Sequence, residues 1–242
     1  MLSIEEERRQ EQERRDKARE YYKLPQTERD KRSAVWLESF CGKLHSNAEF
    51  LSRFGIPPRF VGKTLDNLSG YEAKVDVALG AVRSGQSVFL TGGCGSGKTH
   101  LAVGLMLEWL KRNLEVEYSE YVGFHIVNNR PAMLSKFLPA VELFAQMKVA
   151  MSNDDSDSSV VDRYSGKAFL VLDDVGAERV SDWSRQMFYL LVDRRYRANL
   201  PTVITSNLSL NQIAEQIDDR IASRITEMGP VIHLDGADRR LS

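Results

Sequence analysis

Several features expected of secreted or membrane proteins are missing from this sequence. Its two cysteines, Cys41 and Cys94, are far apart, so a disulfide framework is not expected and a reducing compartment fits. No apolar run is long enough to span a membrane, and the almost wholly charged residues 5–20 do not resemble a signal peptide. We therefore expect a cytoplasmic protein with no membrane partner.

The sequence also lacks an excess of charge of one sign. Its net charge of −1 creates no overall basic field, so any contact with DNA has to come from local patches. The guanine-binding sequence Asn-Lys-x-Asp is absent, which disfavours a GTPase. With 242 residues, of which 42% are hydrophobic and 28% charged, the chain is long enough for one globular domain and an appendage.

The strongest positive signal is a phosphate loop. A β-branched and aromatic run, residues 87–91, predicts a buried strand and is followed by a match to G-x-x-x-x-G-K-[ST]. Glycines let backbone N–H groups converge on a phosphate, Lys98 reaches the β- and γ-phosphates, and the Thr99 hydroxyl suits Mg²⁺. Helical spacing over residues 101–110 places the loop at a helix N-terminus, which favours anions. The predicted nucleotide-binding residues are Gly92, Gly93, Cys94, Gly95, Ser96, Gly97, Lys98, Thr99 and His100.

A second signal is a buried strand that ends in two acids. The apolar run 168–172 precedes Asp173 and Asp174, and parallel sheets place their ligands at the carboxyl ends of the strands. We expect Asp173 to hold Mg²⁺, directly or through water, and Asp174 to orient and deprotonate the attacking water. The repeated strand–helix pattern predicts an α/β fold, a parallel three-layer αβα sandwich.

The N-terminal quarter has a different composition. Residues 1–24 carry Glu–Arg and Glu–Lys pairs four positions apart, which predict a charged helix, either a solvated tail or a partner-docking element. A second helix is expected to present one apolar face, and residues 55–58, Gly-Ile-Pro-Pro, break it. We predict a helical partner-binding segment at 1–58 and an ATPase domain at 59–242. The apolar face comprises Leu37, Phe40, Leu44, Ala48 and Leu51.

Two features lie between the predicted phosphate loop and the acidic strand. Alternating residues over 116–126 predict a strand that is long or bent at Gly123, and residues 140–151 predict a helix. The region 120–164 is therefore interpreted as an insert. Its basic residues either touch single-stranded DNA or are simply exposed; they are Arg130, Lys136 and Lys148.

Together these motifs resemble the AAA+ ATPases, and within them the DnaC/IstB clade of bacterial and phage helicase loaders and transposition helpers. The resemblance covers residues 56–242 and rests on four stretches: 172–178, 192–196, 205–207 and 220–225. It implies ATP and Mg²⁺ as cofactors, ATP hydrolysis, and an AAA+ core without a C-terminal lid.

The resemblance also assigns roles to individual residues. Asn207 matches sensor 1, which holds the attacking water or the γ-phosphate, and Arg224 matches the arginine finger of the Ser-Arg box. Arg240 matches sensor 2, with Arg239 competing for that role. Because the second acid, Asp174, is shorter than the glutamate of many AAA+ proteins, Glu178 is the alternative base. A finger acts on a neighbouring subunit, so the resemblance implies a homo-oligomeric ring or spiral.

The function implied is that of an ATP-dependent helicase loader in DNA replication. Its partners would be a replicative DNA helicase and single-stranded DNA. Two alternatives stay open at this point: an IstB-like transposition helper ATPase, and a nucleotide-gated adaptor that hardly hydrolyses ATP. Turnover measured with and without single-stranded DNA distinguishes the adaptor from the two enzymes.

Overall fold

The computed structural model describes residues 4–119, 123–128, 134–152, 159–177 and 181–236. Five strands form a parallel sheet in the order β4-β5-β6-β1-β7, and β2 and β3 form a separate antiparallel pair. The strands are β1 (Val88–Thr91), β2 (Glu115–Ser119), β3 (Gly123–Asn128), β4 (Ser135–Pro139), β5 (Phe169–Val175), β6 (Thr202–Ser206) and β7 (Val231–His233). The helices are α1 (Ile4–Lys23), α2 (Gln26–Leu44), α3 (Ala48–Arg53), α4 (Glu72–Arg83), α5 (Lys98–Arg112), α6 (Ala140–Ser152), α7 (Ser159–Ser165), α8 (Asp182–Arg197), α9 (Leu210–Gln216) and α10 (Asp219–Met228).

Helices cover both faces of the parallel sheet. On one face, Leu90 and Val171 pack with Leu101 and Leu105 of α5 in a core that also includes α4. On the other face, a second core joins the sheet to α6, α7, α8, α9 and α10, with Phe188 fully buried in it. The predicted three-layer αβα sandwich is confirmed. Among the described helices, none combines the length and apolarity that crossing a bilayer requires.

The N-terminal segment forms three distinct helices, and the third of them packs into the core of the sheet domain. The predicted apolar face over 37–51 is divided between two helices, because the Asn47 side chain accepts a hydrogen bond from Phe50 N and begins α3. Leu51 and Phe54 are 1% and 2% exposed within the core that contains α5. Phe137 N of β4 also donates to Phe54 O at 2.7 Å, which covers the edge of the sheet. The boundary at residue 58 stays a prediction, and a truncation that preserves these contacts has to end before Asn47.

The region predicted to be one strand over 116–126 forms a hairpin instead. β2 and β3 pair antiparallel with each other and lie outside the main sheet. The hairpin faces the N-terminal helices: Tyr21 stacks on Tyr118 at 4.4 Å between ring centroids, and Trp36 stacks on Phe124 at 5.9 Å. The prediction of a single strand was wrong because apolar alternation is the same for one bent strand and for two paired ones.

The interpretation of 120–164 as an insert was also wrong for much of its length. β4 is the edge strand of the main sheet and pairs with β5, and α6 contributes Leu143 and Met147 to the core. Lys136 therefore belongs to a sheet strand and Lys148 to a core helix, whereas Arg130 lies outside the described residues. The short strand that ends at Pro139 gave too weak a periodic signal to be recognised in the sequence.

Candidate active site

The phosphate loop connects β1 to α5 at the carboxyl edge of the sheet. Gly97 has φ of 100°, a left-handed conformation that suits glycine, and immediately precedes the first residue of α5. At Gly92, a Cβ atom would collide with the carbonyl oxygen of Leu234. The sequence thus uses glycine where the loop has to turn sharply and where another backbone approaches it closely.

Lys98 is buried at the centre of this loop. Its Nζ donates to Gly92 O at 2.8 Å, to Gly93 O at 2.7 Å and to Asn207 Oδ1 at 2.8 Å. Only 6% of the residue is exposed, so the ammonium is largely removed from water and held by three oxygens. The predicted loop lysine and the predicted sensor 1 residue are therefore in direct contact, although they follow different strands.

The two acids at the end of β5 have different surroundings. Asp173 is buried, and its Oδ1 accepts hydrogen bonds from Thr99 Oγ1 at 2.9 Å and from Thr205 Oγ1 at 2.7 Å. Burial raises the pKa of Asp173, and the hydrogen bonds from Thr205 and Thr99 oppose that rise. Asp174 is exposed, and its Oδ1 accepts a bond from Asn207 Nδ2 at 3.0 Å. One acid is thus enclosed with hydroxyl groups, while the other faces the solvent beside the amide.

These contacts fit a bound nucleoside triphosphate and its metal ion. Ser96 is fully buried in the loop, and its hydroxyl has no hydrogen-bond partner among the described residues, as expected of a group that belongs to a ligand site. The oxygens of Thr99 and Asp173 lie 2.9 Å apart and are the hard donors that Mg²⁺ prefers. We assign Thr99 and Asp173 as the residues that would hold Mg²⁺.

Two other residues of the predicted loop differ from Lys98 in their surroundings. Cys94 is exposed, and His100 directs its Nε2 to Thr64 O at 2.7 Å, so its ring packs toward the segment that precedes α4. The backbone of His100 remains in the first turn of α5, where N–H groups face an anion. For these two residues, any part in nucleotide binding would come from the main chain.

Arg224 lies on α10 and contacts α8. Its Nε donates to Asp193 at 3.1 Å and its guanidinium lies 4.7 Å from the centre of the Tyr196 ring, both on α8. Asp193 also accepts a bond from Arg197. Burial disfavours the charged form of Asp193, but the bonds from Arg224 and Arg197 prevail and lower the pKa of that carboxyl.

The structure therefore brings together Lys98, Thr99, Asp173, Asp174 and Asn207, and holds Arg224 on α10 by contacts to α8. Arg240, its competitor Arg239 and the alternative base Glu178 lie outside the described residues. Sequence reasoning missed two residues of this arrangement, Thr205 and Asp193. Both stand inside stretches that carried the resemblance, but their partners are distant in sequence and only the fold reveals them.

The fold and this site define a P-loop ATPase of the AAA+ class. A protein family described as "IstB-like ATP binding protein" matches residues 74–240 of the chain, a span that includes the loop, both acids and Arg224. The chain belongs to this family, as the motifs at residues 172–178, 192–196, 205–207 and 220–225 predicted.

Individual proteins are similar over more limited spans. The chain is 27% identical over 147 residues to the uncharacterized protein YqaM of Bacillus subtilis, covering 59% of this chain and 40% of YqaM. It is 26% identical over 193 residues to the chromosomal replication initiator protein DnaA of Zymomonas mobilis, covering 80% of this chain and 35% of DnaA. The chain thus spans well under half the length of these two relatives.

Two solved structures share the fold. The DnaC helicase loader has a TM-score of 0.56 at 24% identity, with 74% of this chain and 99% of that chain covered. DnaI has a TM-score of 0.58 at 24% identity, with 75% of this chain and 95% of that chain covered.

Proposed function

We propose that this protein is an ATP-dependent helicase loader in DNA replication, which uses ATP binding and hydrolysis to place a replicative helicase on single-stranded DNA. The observation that carries the proposal is an AAA+ site joined to helices that precede it and pack on it. The fold likeness to the DnaC helicase loader, over nearly the whole of that chain, supports it.

The chemistry proposed for the site follows from its contacts. The loop N–H groups and Lys98 would bind the phosphates, and Thr99 and Asp173 would hold Mg²⁺, which when bound would neutralise charge on the phosphates. Asp174 accepts the proton of the attacking water, because it is the acid exposed to solvent. Asn207, bonded to both Lys98 and Asp174, orients that water between them.

Arg224 would complete the site of a neighbouring subunit. In its own chain it contacts α8 and keeps a side chain that is 30% exposed, so it remains available at the surface. Supplying its charge in trans requires a homo-oligomer, a ring or a spiral, whose assembly depends on ATP. ATP binding would then order the subunits and hydrolysis would release them.

The N-terminal helices are the proposed helicase-binding element. Residues 8–17 of α1 are exposed, and their side chains pair within the helix, as Arg15 does with Glu11 at 2.7 Å. Because residues 8–17 bury so little surface against the rest of the chain, we propose that they bind another protein. The protein is proposed to act in the cytoplasm, where replication takes place in bacteria.

A helicase-loading assay tests the proposal. A hexameric replicative helicase is mixed with single-stranded DNA coated with single-strand-binding protein, and unwinding of a downstream duplex is followed. We expect unwinding to depend on this protein and on ATP, and to be lost with Lys98→Ala. A deletion of residues 1–17 ends before the buried residues Ala18 and Tyr21, and the variant should retain ATPase activity but lose loading. Unwinding that is the same with and without the protein would contradict the loader role.

The second candidate is a transposition helper, favoured by the family match at residues 74–240. It shares the ATPase site and differs in the partner of the N-terminal helices. Binding of the full-length protein to a transposase but not to a helicase would favour this candidate if the binding is lost when residues 1–17 are removed. An ATPase rate close to zero, both with and without single-stranded DNA, would favour the nucleotide-gated adaptor.

A further inference from the structure

Thr205 contacts both acids of the site through one hydroxyl group. Its Oγ1 donates to Asp173 Oδ1 at 2.7 Å and accepts from the backbone N–H of Asp174 at 2.8 Å. The residue is 1% exposed, so water does not compete for these bonds. A hydroxyl has one donor and two acceptor lone pairs, which is the combination that these two contacts require.

The contact coincides with an irregularity in the sheet. Between the pairs Leu172↔Ile204 and Val175↔Ser206, two residues of β5 face the single residue Thr205 of β6. This is a β-bulge, and such bulges re-aim side chains beside active sites. Its second residue, Asp174, has φ of 61°, a left-handed conformation that costs energy for a residue with a side chain and persists when the surroundings hold it.

We propose that Thr205 is a positioning residue that sets the directions of both acids. By binding Asp173 Oδ1 together with Thr99, it fixes the rotation of the carboxylate that would share Mg²⁺ with Thr99. By accepting from Asp174 N, it stabilises the left-handed turn that directs the second carboxylate to Asn207. The inference rests on the roles proposed above for Asp173 and Asp174 and adds the residue that aligns them.

Thr205→Val tests the hydroxyl, because valine keeps the branched shape and removes both hydrogen bonds. Outer contacts of metal ligands are typically worth about 10–100-fold in metal affinity or activity, so we expect kcat to fall by about that factor. Mg²⁺ is expected to increase the affinity for the nucleotide. The Mg²⁺ concentration that gives half of this increase should rise about tenfold or more. Binding of a fluorescent ATP analogue without Mg²⁺ should change by less than about twofold, since Lys98 and the loop remain.

Two further variants distinguish the effect of losing the hydroxyl group from the effect of changing the shape of the side chain. Thr205→Ser restores the hydroxyl and should bring kcat and the Mg²⁺ requirement back to within about threefold of the wild type. Thr205→Ala lacks the hydroxyl without adding bulk and should behave like Thr205→Val. The Ser and Ala pair decides the question if Thr205→Val does not fold.

Thr202→Val is the matched control. Thr202 is buried on the same strand, and its hydroxyl accepts from Arg195 Nε at 2.8 Å and donates to Leu200 O at 3.0 Å, away from both acids. We expect it to lower the thermal midpoint without changing kcat or the Mg²⁺ requirement. The thermal midpoints of the nucleotide-free proteins are measured for all four variants.

Three results would overturn the inference. They are wild-type kcat and Mg²⁺ dependence in Thr205→Val, a Thr205→Ser variant as impaired as Thr205→Ala, and a Thr202→Val variant with the same loss of kcat. Failure of the proposed function gives a different result. If the wild-type protein binds ATP but does not hydrolyse it, the Mg²⁺ dependence of nucleotide binding still tests Thr205 by the same comparisons.

Discussion

Asp193→Asn is predicted to detach Arg224 from the surface that now holds it. Asp193 is 1% exposed and accepts bonds from Arg224, at 3.1 Å, and from Arg197. An amide of the same size keeps an acceptor oxygen but loses the charge that attracts both guanidinium groups. If Arg224 is an arginine finger, its orientation toward a neighbouring subunit is then held by the Tyr196 ring and a weaker, uncharged acceptor.

The expected loss of stability follows from how exposed Arg224 and Arg197 are. Removing one member of a buried ion pair costs about 3–5 kcal/mol when the other member is left buried and charged. Here the remaining arginine side chains are 30% and 73% exposed and can be hydrated again. We therefore expect a loss of about 1–2 kcal/mol in the free energy of unfolding, at the lower end for bonds to a charged group. The ATPase rate should fall by about 10–100-fold, a part of the about 10³–10⁵ that a finger supplies.

The stability that Asp193 contributes should depend on pH in a defined direction. Because the folded-state pKa of Asp193 is lowered, its contribution to stability is present at neutral pH and disappears as the pH falls through that lowered pKa. The Asp193→Asn variant lacks this contribution at every pH. The difference in unfolding free energy between the wild type and Asp193→Asn should therefore shrink below about pH 4, the ordinary value for aspartate.

Urea unfolding at pH 7 and pH 3.5 measures the loss of stability. The ATPase rate is measured at a protein concentration at which the wild type is assembled. Arg197→Ala is the control, because it removes the other partner of Asp193 and leaves Arg224 in place. An ATPase rate equal to that of the wild type in Asp193→Asn, with the expected loss of stability, would refute the idea that Asp193 orients a finger. An equal loss of activity in Arg197→Ala would refute it as well.

Three further predictions concern single residues. Asp174→Asn should keep ATP binding but lower kcat by about 10²–10⁴-fold, because an amide cannot accept the proton of water; an unchanged kcat in steady-state assays would move the base to Glu178. Asp173→Asn should raise the thermal midpoint of the nucleotide-free protein, since burial raises the pKa of Asp173 and its charge costs stability at neutral pH; calorimetry showing a lower midpoint would contradict this. Arg195→Met should cost about 3 kcal/mol or more in urea unfolding, because the fully buried guanidinium binds Thr202 and four backbone carbonyls and each buried acceptor left without a donor costs about 1–3 kcal/mol. The partly exposed Arg194→Met should cost under about 1 kcal/mol, and equal costs would contradict the prediction.

The residues closest to the phosphates could be predicted from the sequence because their spacing is local. The Gly92–Thr99 pattern needs a strand, a turn and a helix in immediate succession, and all three are encoded within a few residues of one another. Asp173 and Asp174 likewise come directly after the apolar run of one buried strand, β5. Local periodicity also predicted α5 and α6, over 101–110 and 140–151, and the observed bounds differ from these by three residues or fewer.

The remaining contacts depend on pairings between distant parts of the chain. Thr205 meets Asp174 through the alignment of β5 with β6, and a one-residue bulge in that alignment has no signature in either strand alone. The pairing of β2 with β3 likewise depends on aromatic residues of α1 and α2 that precede the hairpin by many positions. Such features arise from tertiary packing, which a pattern within one element does not contain.

We propose that ATP is hydrolysed at a site shared by two subunits, and mixing two inactive variants shows whether it is. Lys98→Ala lacks the phosphate-binding half and Arg224→Ala lacks the finger, so an interface between the two contains one intact site. Titrating one variant into the other should restore ATPase activity, with a maximum at intermediate ratios. No ATPase activity at any ratio, while cross-linking demonstrates mixed assemblies, would contradict the account.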